Sequence, residues 1–171
     1  MRGISESGIA SLVYLNLSSC NFNNLGHGLR FALWSLSSAA TSGTLQLLVS
    51  LCLENNDIND TDGVGIVKML PHMPRLQTLD LTNNNISNAT ARSLARAASS
   101  GVLPSITNLL LRHNYITCVG ARYLNRSLLN GCMPGLMVLT IAENHILYIG
   151  MVHLYATQHA LVLRGHVLHI D

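Results

Sequence analysis

One pattern, written five times, decides what this chain can fold into. Leu48-xx-Leu51-x-Leu53-xx-Asn56-x-Ile58 recurs as Leu76-xx-Leu79-x-Leu81-xx-Asn84-x-Ile86. It returns as Ile106-xx-Leu109-x-Leu111-xx-Asn114-x-Ile116 and as Leu136-xx-Leu139-x-Ile141-xx-Asn144-x-Ile146. These four copies start 28, 30 and 30 residues apart. A fifth lies upstream, Leu12-xx-Leu15-x-Leu17-xx-Cys20-x-Phe22, with Cys in place of Asn and 36 residues to the next copy. A near-constant period of this length marks a repeat architecture. Each unit cannot bury its apolar face alone and stacks on its neighbours to do so.

Each position has a physical reading. The alternating Leu-x-Leu puts two leucines on one face of a short strand and the residue between them on the other. Successive strands run the same way and each needs a crossover before the next, so they form a parallel sheet. The Asn ends the strand, and its amide can both donate to and accept from backbone groups of the turn and of the adjacent repeat. Cys20, Asn56, Asn84, Asn114 and Asn144 are therefore expected to form a structural ladder, with Cys20 taking the first rung because a thiol tolerates burial. Gly26, Gly63, Thr90, Gly120 and Gly150 follow the pattern by four or five residues, and aliphatics then come at helical spacing: Ile66, Val67 and Leu70; Leu94 and Ala98; Leu124 and Leu128; Leu154 and Leu161. The crossovers are expected to be helices. Asn88 and Asp62 are candidate caps, and Pro71, Gly101 and Asn130-Gly131 are stops. The first crossover is expected to be helical from about Leu25 to Leu36, with Ser37 to Thr44 a loop that absorbs the extra length.

A period of 28 to 30, the LxxLxLxxNxI motif and a glycine opening the helix resemble the ribonuclease-inhibitor-like class of leucine-rich repeat. That class includes ribonuclease inhibitor, the Ran GTPase-activating protein, tropomodulin and the sensor domains of NOD-like receptors. The resemblance implies an α/β solenoid, a right-handed horseshoe arc with parallel strands on the concave face and helices on the convex face. It predicts one domain over 1–171 with five complete repeats starting at 12, 48, 76, 106 and 136. A truncated sixth strand is expected near 165–171, with Gly165 in place of the first Leu and Leu168 and Ile170 facing inward. Neither flank reads as a polar cap, so the chain is expected to belong to a longer array or to associate end to end.

Composition narrows the function. Charged residues make up 11% and the net charge is +2. Ten basic residues spread along the chain form no nucleic-acid stripe, and no apolar run is long enough to span a membrane. Lys68 is the only lysine, without a surrounding phosphate or Schiff-base motif. No GxxxxGK[ST], GxGxxG, GxSxG or HExxH occurs. The four cysteines match no CxxC pattern and no secretory leader is evident, so a reduced, cytoplasmic chain is expected and five N-x-S/T sequons are read as the statistics of an Asn-rich sequence. Eight histidines have spacings that suit packing or solvation better than metal ligation. No catalytic, cofactor or metal site is therefore expected.

Outward-facing strand and turn positions are where this architecture usually binds. Read across repeats, the column between the two leucines is Asn16, Cys52, Asp80, Leu110 and Thr140. The next is Ser18, Glu54, Thr82, Arg112 and Ala142, then Ser19, Asn55, Asn83, His113 and Glu143. The turn column between Asn and Ile is Asn21, Asp57, Asn85, Tyr115 and His145. Glu54, Asp57 and Asp80 make an acidic side; Arg112, His113 and Tyr115 are residue types that anchor interfaces. Asp80 and Arg112 are close enough to pair. Partner contact is expected at Glu54, Asp80, Arg112, His113 and Tyr115, in a non-enzymatic module that holds a partner protein on its concave face. The alternative is a GTPase-activating protein resembling the Ran regulator, which would need a rim Arg or Asn at the GTPase active site.

Overall fold

The computed structural model describes residues 11–20, 28–103, 105–163 and 168–171. Phe22, Leu25, Gly26 and Gly165 lie outside the described residues, as does the turn residue Asn21. Six strands form one parallel sheet in sequence order: β1 (Tyr14–Asn16), β2 (Ser50–Cys52), β3 (Thr78–Asp80), β4 (Asn108–Leu110), β5 (Val138–Thr140) and β6 (His169–Ile170). Between them run α1 (Gly28–Thr41), α2 (Asp60–Met69), α3 (Asn88–Ser99), α4 (Cys118–Leu129) and α5 (Tyr148–Val162). The result is a leucine-rich-repeat solenoid with a strand layer and a helix layer.

Register follows the repeat from β1 to β5, but at β6 Ile170 and not Leu168 stands beside Leu139, two residues on from the place expected with Gly165 as the first position. Leu15, Leu51, Leu79, Leu109, Leu139 and Ile170 stand side by side across the sheet. Leu51, Leu79 and Leu139 are fully buried, as are Leu53, Leu81, Leu111 and Ile141 in the next inward column. Ile58, Ile86 and Ile116 close each turn from inside. Because side chains alternate at period two, a one-residue slip would turn each of these columns to solvent, so the apolar pattern itself fixes the pairing. Leu168 and Ile170 are buried and His169 between them is exposed.

The asparagines join neighbouring backbones. Asn84 Nδ2 donates to Leu81 O and Thr82 O of its own turn and to Leu53 O of the preceding repeat, at 3.0–3.1 Å. Its Oδ1 accepts from Asn56 N and Ile58 N of that preceding repeat. Asn114 reaches back to Leu81 O and accepts from Ile86 N; Asn144 reaches back to Leu111 O and accepts from Ile116 N. Asn56, Asn84 and Asn114 are buried, whereas Asn144 is half-buried. Cys20 departs from its expected place: the residue is exposed, and only its backbone N–H, donated to Asn56 Oδ1, takes part. The side chain of each rung serves the repeat before it, and Cys20 has no earlier repeat among the described residues.

The first crossover also differs from expectation. The stretch Ser37 to Thr41 belongs to α1 rather than to a loop. Leu36 and Ala40, one turn apart, are both buried, so the apolar stripe continues through the serines. Thr41 Oγ1 folds back onto Ser37 O and Ser38 O, and Gly43, at φ +81°, ends the helix. At 14 residues α1 is two longer than α3 and α4, so the helix takes up part of the extra length, and the segment from its end to β2 is no longer than those that follow α3 and α4.

Candidate functional site

The concave side and its turn rim carry the outward columns. Ser19, Asn55, Asn83, His113 and Glu143 occupy one rim position in five successive repeats, and all five have φ between +50° and +57°. The turn after each strand demands this left-handed backbone. Asn and His adopt it more readily than Glu, whose Cβ crowds the following carbonyl with no local hydrogen bond to compensate. In repeats one to three the column is a chain of side-chain hydrogen bonds: Asn55 Nδ2 donates to Ser19 Oγ and Asn83 Nδ2 to Asn55 Oδ1, each at 2.9 Å.

Repeats four and five replace that chain with charge. Glu143 receives Arg112, whose Nε lies 3.0 Å from Oε1 and whose Nη2 bonds the same oxygen. His113 Nε2 lies 2.8 Å from Glu143 Oε2. The hydrogen bond from Arg112 holds the Glu143 carboxyl below the usual glutamate range, and the same bond raises the Arg112 guanidinium. All three side chains are close to half exposed, so the pairing fixes geometry more than it adds stability. Beside them the Tyr115 and His145 rings stack, with centroids 5.3 Å apart. Asn85, His113, Tyr115, Glu143 and His145 line part of a groove of about 260 Å³ along the rim.

The expected site residues therefore divide. Arg112, His113 and Tyr115 come together, joined by Glu143 and His145. Asp80 does not pair with Arg112; its Oδ1 accepts from Thr82 N at 2.9 Å, closing a local turn. A short carboxylate is bound by the nearest backbone N–H, while Glu143, in the turn after β5, is long enough to reach the guanidinium. Glu54 is exposed in repeat two, outside the cluster. The column arrangement held the signal for Glu143: it lies diagonally opposite Arg112, one strand on.

A second set of contacts has no counterpart in the sequence reading. Asp60, in the first turn of α2, caps the next helix: its carboxylate accepts from Ser87 N, Ser87 Oγ, Thr90 N and Thr90 Oγ1. Burial pushes this carboxyl up, yet the bonds from Ser87 and Thr90 outweigh it and hold Asp60 below the ordinary aspartate value. Asn88 does the same for α4, accepting from Thr117 N, Thr117 Oγ1 and Gly120 N. Cys118 Sγ accepts from Leu147 N ahead of α5. Asn88 is thus a cap for the following helix, and Asp62 completes a capping box begun by Asn59. The glycine opening α4 follows from this crossing: a Cβ on Gly120 would lie 2.6 Å from Asn88 Oδ1.

Among the described residues no group of three or more His, Cys, Asp or Glu side chains could hold a metal, and no helix is long and apolar enough to cross a membrane. Two family models match, both described as leucine-rich repeat, over residues 72–95 and 11–36. No curated protein matches the chain significantly. Among solved structures, one titled "Leiomodin-1 Actin-Binding Site 2 (ABS2)" shares the fold at a TM-score of 0.56 and 16% identity, covering 75% of this chain and 92% of its own. Repeat pattern, six-strand parallel register, family models and fold agree on a leucine-rich-repeat solenoid.

Proposed function

We propose that this protein is a non-enzymatic interaction module that holds a partner protein on its concave face and adjoining rim. The observation that carries the reading is the cluster of Arg112, His113, Tyr115, Glu143 and His145. His113 and Glu143 stand at the positive-φ rim position where the second and third repeats place asparagine. Exposed, mutually oriented Arg, His and Tyr side chains supply preorganised contact area with polar tips, which is what an interface anchor needs. Glu54 and Asp80 extend the surface with the opposite charge and would set the partner's orientation. The GTPase-activating alternative has Asn85 alone to offer: the described turn column of Asp57, Asn85, Tyr115 and His145 holds that asparagine and no arginine.

The fold neighbour's title names actin, so actin is the first partner to try. Co-sedimentation with filaments and binding to monomers would be measured for the wild type and for the Arg112→Ala/Tyr115→Ala variant. With actin, or with a partner found by affinity capture, the double variant should bind at least about tenfold more weakly while melting as the wild type does. A partner held equally tightly by both would show the cluster to be solvated surface.

A further inference from the structure

The helix layer carries a surface that the concave-face reading leaves unused. Arg92 and Arg96 lie four residues apart on α3, and Arg122 and Arg126 repeat the pair on α4 thirty residues later. The spacing makes a two-by-two lattice, about 6 Å along each helix and about 10 Å between helices. Arg92, Arg96, Tyr123, Arg126 and Ser127 line a groove of about 210 Å³ between the two helices, and Arg122 lines the adjoining one between α4 and α5. The Arg92 guanidinium sits over the Tyr123 ring, 5.5 Å from its centroid. None of α3, α4 or α5 contains an Asp or Glu. The ion pairs of Arg112 and His113 with Glu143 lie on the other layer.

We propose that the α3–α4 groove is a second docking site, which takes an acidic segment of a partner protein. Arg92, Arg96 and Arg126 line this groove with like charge one turn and one helix apart, which destabilises the free protein, and carboxylates placed between them relieve that repulsion. Alternate side chains of an extended strand are about 6.6 Å apart on one face, close to the step between Arg92 and Arg96, so an acidic stretch laid along the groove meets successive forks. Guanidinium forks bind carboxylates in bidentate fashion, which gives the site register as well as attraction. A nucleic acid is disfavoured: the groove's one aromatic ring is covered by Arg92 rather than open for a base to stack on, and the chain's net charge is only +2.

The test uses the full chain and a labelled peptide of alternating glutamate and serine, with a glutamine-for-glutamate control, a single-stranded oligonucleotide and phosphatidylserine vesicles. The glutamate peptide should bind with strong salt dependence and the control should not. Arg92→Gln/Arg96→Gln/Arg126→Gln should weaken binding at least about tenfold, and the all-lysine variant should fall between, because charge is kept and the fork lost. Arg112→Ala/Tyr115→Ala should bind the peptide normally, which separates this site from the concave one. Should the triple variant not fold, Arg126→Gln alone, on an exposed last-turn position, should lose about threefold. Equal binding by the folded triple variant, or by Arg126→Gln, overturns the proposal. So does dependence on Arg112, or binding of the oligonucleotide or vesicles without the peptide.

Discussion

At the residue scale the asparagine rung is the smallest unit that holds the solenoid together. Asn84 satisfies three carbonyls and two N–H groups, split between its own turn and the turn before it. Replacement by alanine takes the acceptor from the buried Asn56 and Ile58 N–H groups, while Leu53 O, Leu81 O and Thr82 O each keep a second donor, Asn56 Nδ2, Asn114 Nδ2 and Asn55 N. Asn84→Ala and Asn114→Ala should each cost roughly 1–3 kcal/mol, read as a lower melting temperature and denaturation midpoint. Asn144→Ala should cost less, since its half-buried rung lets water replace the lost bonds. This much was legible from the residues alone, because an identical polar residue at a fixed place in an apolar pattern must answer a backbone need that recurs with it. The αL rim column was not: Ser, Asn, Asn, His and Glu share no chemistry, only a backbone conformation. Glu143 was legible only along a diagonal, since its partner Arg112 belongs to the neighbouring repeat and to a different column.

At the element scale the helices are tied to one another at their first turns, and Asp60 shows how. Ser87 precedes α3 in the N-cap position but its side chain caps nothing. The job falls to a carboxylate from the preceding helix, where negative charge also meets the positive end of the α3 dipole. Asp60→Ala should therefore cost about 1–2 kcal/mol and raise hydrogen exchange at Thr90 and its neighbours while leaving the first turn of α4 protected. The effect has a pH signature. The folded-state value lies below the ordinary 3.8, so the contribution is complete above that value and is lost as pH falls through the lower folded one. The stability gap between wild type and Asp60→Ala should be flat near neutrality and close on acidification; a gap independent of pH would assign the loss to packing instead. The sequence did not disclose this column, because Asp60, Asn88 and Cys118 differ in kind and act across helices rather than within one. The end of α1 was missed for a simpler reason. Ser, Ala and Thr in mixture favour neither helix nor loop strongly, and the deciding contacts, Leu36 and Ala40 against the core, are tertiary.

At the scale of the whole molecule, α5 is the helix least matched to water. Tyr148, Val152 and Tyr155 form an exposed stripe at helical spacing, with Ile149 and Leu163 beside it. In α3 and α4 the positions matching Val152 are Arg92 and Arg122. A contiguous apolar patch of this kind favours association. Sedimentation should show concentration-dependent self-association of the wild type, and Tyr148→Glu/Tyr155→Glu should remain monomeric with the fold intact. A wild type that stays monomeric at tens of micromolar would remove the argument.

The forward caps also weaken along the chain. Asp60 accepts four bonds, Asn88 accepts three, and Cys118 offers a single contact at 3.3 Å through its sulfur, a weak acceptor. The seams between successive coils are therefore unequal in strength, and the stack has a grain. Of the three seams that these residues cap, the one before α5 should be the first to open under load, read as the lowest of their force peaks.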